Sequence, residues 1–205
     1  MKKSIILFSI LFLLSFSAFS KESSFREAFK NSLQYEQSQN YKDAIRALIP
    51  IYKTKKKLYT INLRIGWLFY LSGNYANSIK HYQKAIQLAP EAVEPLIGKL
   101  LPLLAQQQYN EVELTAYKVL RIDSHNYYAN LRLIVALRLQ HKYDLAQSAI
   151  QKMRTLYPGD IVFIEQEALV YEQNKNYAKA TELYGKLLNL DPENLTAKRY
   201  LAYQK

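Results

Sequence analysis

Arg64, Trp67 and Tyr70 fall within one leucine-rich stretch of the chain, and Arg132 and Arg138 within another. A guanidinium offers a rigid fork of donors to a carboxylate, and a tryptophan or tyrosine anchors apolar side chains, so the combination suits recognition of a partner. Lys53, Lys55, Lys56 and Lys57 form a second positive group. It is either a solvated turn between helices or a contact for anionic lipid or an anionic polymer. Bond-making chemistry has less to work with. The three histidines, His81, His125 and His141, are not spaced from one another or from an acid as a metal site requires. Cysteine is absent, which removes thiol nucleophiles, disulfides and thiolate metal sites, and five glycines in no phosphate-loop pattern cradle no nucleotide. The expectation is a protein without enzymatic activity, metal or cofactor.

The elements that hold these residues follow a period. Tyr41, Tyr75, Tyr109, Tyr143 and Tyr177 recur every 34 residues, and three places after each stands Ala44, Ser78, Val112, Ala146 or Ala180. Small side chains at one register mark places where two helices approach closely. Apolar residues recur at helical spacing before each tyrosine, Gly73-Asn74 offers a stop, and Pro90, Pro158 and Pro192 stand at one place in the period, after the second helix, in three of the five units. Helix, turn, helix is the expected unit. It repeats over 25–58, 59–92, 93–126, 127–160 and 161–194, and Leu195 opens a helix over 195–205 that would cap the last unit. Pro50 and Pro102 fall inside helices.

The block from Tyr59 carries Ile65-Gly66, Phe69, Gly73-Asn74-Tyr75, Ser78, Tyr82, Ala85 and Pro90. It resembles a tetratricopeptide repeat, and the likeness runs from Phe25 through Asn194 without insertion. The resemblance implies an all-α fold, a right-handed superhelical solenoid of helix-turn-helix repeats. The tryptophan place of the repeat is filled here by Ala28, Asn62, Leu96, Asn130 and Ile164, and the place of Gly66 by Leu100 and Ile134 in later repeats. In the family the first helices line a concave groove. On that face the period puts Leu63, Arg64, Trp67, Tyr70 and Leu71, then Ile97, Leu101 and Leu104, then Leu131, Arg132, Val135, Arg138 and Leu139. Such an apolar face with arginines either packs between neighbouring first helices or serves a peptide or protein partner. The Lys/Asn clamp with which some members hold a chaperone tail has Trp67, Leu101, Val135, Leu63, Ile97 and Leu131 in its places, so that function is not implied.

Composition and the start of the chain complete the expectation. Lysine and arginine outnumber acids, giving a formal net charge of +11. Met1-Lys2-Lys3, the apolar run Ile5 to Phe19 and Ala18-Phe19-Ser20 read as a secretory signal over 1–20 followed by a short linker over 21–24. Retention as an anchor is the alternative, although 15 residues fall short of the roughly 20 that a helical span needs. Cleavage removes two lysines and no acid, so the exported chain stays basic and keeps no integral span. Outside the cytoplasm, periplasmic first and extracellular second, nucleic acid is not the expected partner. The leading reading is a scaffold for a peptide or protein segment within a bacterial envelope assembly. The other is a basic module on anionic lipid or envelope polymer.

Overall fold

The computed structural model describes residues 24–203, so the expected signal segment lies outside the described residues. Among the described residues there are eleven helices and no strand: α1 over 24–37, α2 Tyr41–Thr54, α3 Tyr59–Leu71, α4 Tyr75–Leu88, α5 Glu94–Ala105, α6 Tyr109–Ile122, α7 Tyr127–Leu139, α8 Tyr143–Leu156, α9 Ile161–Gln173, α10 Tyr177–Leu190 and α11 Leu195–Tyr203. Each recurring tyrosine opens a second helix. They form two compact units, one ending at Glu91 and the other starting at Ala92.

The turn inside every helix pair is built the same way. Gln39, Gly73, Gln107, His141 and Lys175 all take positive φ, between 57° and 75°, at 34-residue spacing. The next residue donates its N–H back five places, as Asn74 does to the Phe69 carbonyl (2.8 Å) and Lys142 to that of Leu137 (2.9 Å). A left-handed residue followed by this long bond satisfies the free carbonyls at a helix end. Glycine occupies the strained position once; elsewhere the chain carries the cost of a side chain there. The following residue already caps the second helix, and Asn40, Asn74 and Asn176 each accept a bond from the N–H three places on.

In the first unit, Ala44, Leu48 and Ile51 of α2 pack against Ile61, Ile65 and Leu68 of α3, with Phe25 and Phe29 of α1 at the edge. Gly66 lets α4 come close. A Cβ there would lie 3.1 Å from the Tyr82 ring, and the Ser78 hydroxyl donates to the Gly66 carbonyl at 2.7 Å. In the second unit Leu100 and Ile134, at the corresponding place, are fully buried instead. Ala146 and Ala180 have no exposed surface. Its last layer joins Ile164 and Ala168 to Ala180, Tyr184 and Leu187, and α11 lays Ala197 and Tyr200 over them. The Tyr184 and Tyr200 rings are 4.4 Å apart. Helices α2 and α5 both continue through their prolines, Pro50 and Pro102.

Candidate functional site

The arginines singled out by sequence have different surroundings. In the first unit α1 and α3 bring Glu36 to both Arg64 and Trp67: the carboxylate pairs with the Arg64 guanidinium and accepts the Trp67 indole N–H at 2.6 Å. Arg64 also reaches the buried Ser32 hydroxyl at 3.4 Å. A charge-assisted pair that is mostly shielded from water is strong, and the two terminal nitrogens of Arg64 are taken while its Nε is buried and has no partner among the described residues. Trp67 and Tyr70 lie with ring centroids 5.6 Å apart, and Leu63 and Leu71 are half-buried on the same helix. Sequence reasoning missed Glu36, because a lone acid in another helix has no pattern until packing brings it near.

In the second unit, α7 packs against α5 on one side and α9 on the other. Ile97, Leu101 and Leu104 of α5 are half-buried. Leu131 and Arg138 of α7 are buried, and Arg138 donates from Nε to the Gln166 side chain at 3.3 Å. Burial pulls the Arg138 guanidinium below its usual range, while Tyr184, Glu172, Tyr143 and Glu165 oppose that shift. Glu172 in turn accepts from the Tyr184 hydroxyl at 2.5 Å. Arg132 is different. Half-buried, it meets no hydrogen-bond or ion-pair partner among the described residues. Tyr128, Arg132, Val135 and Leu139 stand at i, i+4, i+7 and i+11, which lines them along one face of α7. Tyr128 is 57% exposed and Leu139 37%. The sequence reading omitted Tyr128; the four-residue step before Arg132 was the available signal.

Lys53 lies in the last turn of α2, and Lys55, Lys56 and Lys57 form the turn between α2 and α3. Lys53, Lys55, Lys56 and Lys57 are all exposed, and none enters an ion pair among the described residues. The turn itself is fixed from below. The Asn62 amide donates to the carbonyls of Lys56 and Leu58, both at 2.9 Å, and its oxygen faces His81 Nδ1 at 3.1 Å. Because that oxygen only accepts, His81 carries its proton on Nδ1 and donates it to Asn62. Asn130 repeats the device in the second unit, donating to the carbonyls of Ser124 and Asn126. An asparagine in the tryptophan place therefore holds the turn preceding its own helix. Burial, then Lys84 and Lys80, lowers the His81 pKa to about 4. Among the described residues no three of His, Asp and Glu converge as a metal site, and no helix is long and apolar enough to cross a membrane.

Comparison with known proteins agrees with this geometry. Residues 60–92 and 165–194 each match a tetratricopeptide repeat model, one segment in each unit. These two segments carry the tetratricopeptide repeat. The fold of the chain is similar to that of a tetratricopeptide repeat protein from Parabacteroides merdae, with TM-score 0.78 at 12% identity over 87% of this chain and 71% of that one. MamA from Desulfovibrio magneticus gives TM-score 0.75 at 17% identity over 84% of this chain and 97% of that one. YrrB, a tetratricopeptide protein with an unusual peptide-binding site, gives 0.69 at 14% identity over 84% of this chain and 89% of that one. Identities this low show the fold alone. The anaphase-promoting complex subunit 3 of Schizosaccharomyces pombe is 26% identical over 132 residues, 63% of this chain. The chain spans about a fifth of the length of that relative. Tetratricopeptide folds serve as protein-interaction scaffolds, and none of these likenesses indicates a catalytic family.

Proposed function

We propose that this chain is a non-enzymatic scaffold that holds a peptide or protein segment on the inner face of its first helices, and that it works in a bacterial envelope. One observation carries the binding reading. Among the described residues Arg132 meets no hydrogen-bond or ion-pair partner and stands in a line with Tyr128, Val135 and Leu139, whereas Arg64 and Arg138 are engaged inside their own units. A half-buried guanidinium without a partner gains most when a ligand supplies the acceptor, and the exposed aromatic and leucine beside it offer apolar area. The repeat fold of YrrB, which has a peptide-binding site, supports the reading by analogy. Support for export is the sequence of residues 1–20, and a native chain whose mass begins near Lys21 is the expected result.

The test of the binding reading is site-specific crosslinking in the cell. A photo-reactive phenylalanine at position 135 should give a discrete adduct that Arg132→Ala abolishes. The same group at position 114, 59% exposed on α6, should give none. Equal adducts from both positions would count against a site on α7.

A further inference from the structure

The chain's positive charge is unevenly divided between its units. From 24 to 91 there are eleven lysines and arginines against four acids, whereas from 92 to 203 there are thirteen against twelve. Of the four acids, Glu36 is taken by Arg64 and Asp43 by Arg46. Among the described residues neither these nor Glu27 and Glu91 form an ion pair with Lys53, Lys55, Lys56 or Lys57, and the Asn62 bonds to Lys56 and Leu58 hold the backbone of the turn in place. Lys55 leans over the Phe25 ring, 5.8 Å from its centroid, which joins the turn to the start of α1. There the lining of an open depression includes Phe25, Phe29 and Leu33 beside the polar Lys30, Gln34 and Gln37. Leu33 is 49% exposed.

We propose that the first unit docks on a bilayer bearing anionic phospholipid, through the lysine cluster at the end of α2 and in the turn after it, and the adjoining aromatic face of α1. Clustered lysines take phosphodiester headgroups, each contributing to attraction within a Debye length of the surface. Phenylalanine and leucine between basic side chains enter the headgroup boundary, as on interfacial helices. A soluble polyanion would use the lysines alone and leave the apolar rim idle, which is why the bilayer is the chosen occupant. The surface lies in the first unit and Arg132 in the second, so the two proposals stand or fall separately.

The test is co-sedimentation of the whole chain, as isolated from expressing cells, with vesicles of phosphatidylcholine alone and of phosphatidylcholine with one quarter phosphatidylglycerol, in 0.1 M salt. Any contribution of the apolar residues 5–19 is common to both vesicle types, so the difference between them reports the basic surface. The anionic vesicles should bind more tightly. K55Q/K56Q/K57Q should weaken that binding at least tenfold, since three lysines near a charged surface account for roughly a hundredfold at low salt. Leu33→Gln should weaken it several-fold, and Arg132→Ala should leave it unchanged. Equal binding to the two vesicle types, or equal binding by the triple variant and the parent, overturns the proposal. So does displacement from the vesicles by soluble polyphosphate at matched phosphate concentration, with Leu33→Gln behaving as the parent.

Discussion

Lowering the pH from 7 to 5 should destabilise the first unit, and His81 should be the cause. The ring is 8% exposed, stacked on Phe69 and edge-on to Tyr52, and its Nδ1–H is committed to Asn62. Its pKa lies at about 4 against 6.5 in an unfolded chain. Between these values the unfolded state binds the proton and the folded state does not, so stability is full above pH 6.5 and drains away as the pH falls toward 4. Linkage over this window gives about 2 kcal/mol lost at pH 5 and about 3 kcal/mol once both states are protonated. Trp67, the only tryptophan, lies in this unit and reports its unfolding. Urea titrations followed by its emission, at pH 7.5, 6, 5 and 4.5, should show the midpoint falling steeply below pH 6.5. His81→Gln keeps a donor for Asn62 without a titrating ring, and it should remove most of that slope. A His81→Gln chain with the parent's pH dependence would refute the reasoning.

Three further outcomes follow from packing and turns. Gln39→Gly, Gln107→Gly and Lys175→Gly should each stabilise by about 0.5–1 kcal/mol, because relief of the left-handed strain exceeds the added freedom of the unfolded chain; thermal melting checks this. Ala146→Leu and Ala180→Leu should each cost about 1–3 kcal/mol, since both positions lack any exposed surface between paired helices; chemical denaturation reads the loss. Glu36→Ala should cost about 1–2 kcal/mol and change the Trp67 emission, because it strips Arg64 of its carboxylate and the indole of its acceptor.

Much of the fold was legible because the 34-residue period is carried by residues with a fixed structural task. Tyrosine opens each second helix, and Ala44, Ser78, Val112, Ala146 and Ala180 sit buried three places later. The turns were less legible. Only Gly73 announced positive φ, whereas Gln39, Gln107, His141 and Lys175 adopt it because tertiary packing outweighs a penalty of about 1 kcal/mol. The candidate site was half legible. Helical spacing located Arg64, Arg132 and Arg138, but it carries no information on which meets an acid or amide from another helix. Glu36 lies 28 residues before Arg64, and Gln166 lies 28 after Arg138. Asn62 looked like a departure from the repeat pattern, yet its side chain holds the turn on which the lysines stand.

The most direct test of the scaffold account is the affinity of the partner recovered through position 135, measured by titration against the parent, Arg132→Ala and K55Q/K56Q/K57Q. If Arg132 supplies the missing pairing for that segment, its removal should weaken binding by about 2 kcal/mol or more, roughly thirtyfold, without altering the melt. The lysine variant should bind as the parent does. An Arg132→Ala chain that binds with the parent's affinity would contradict the account.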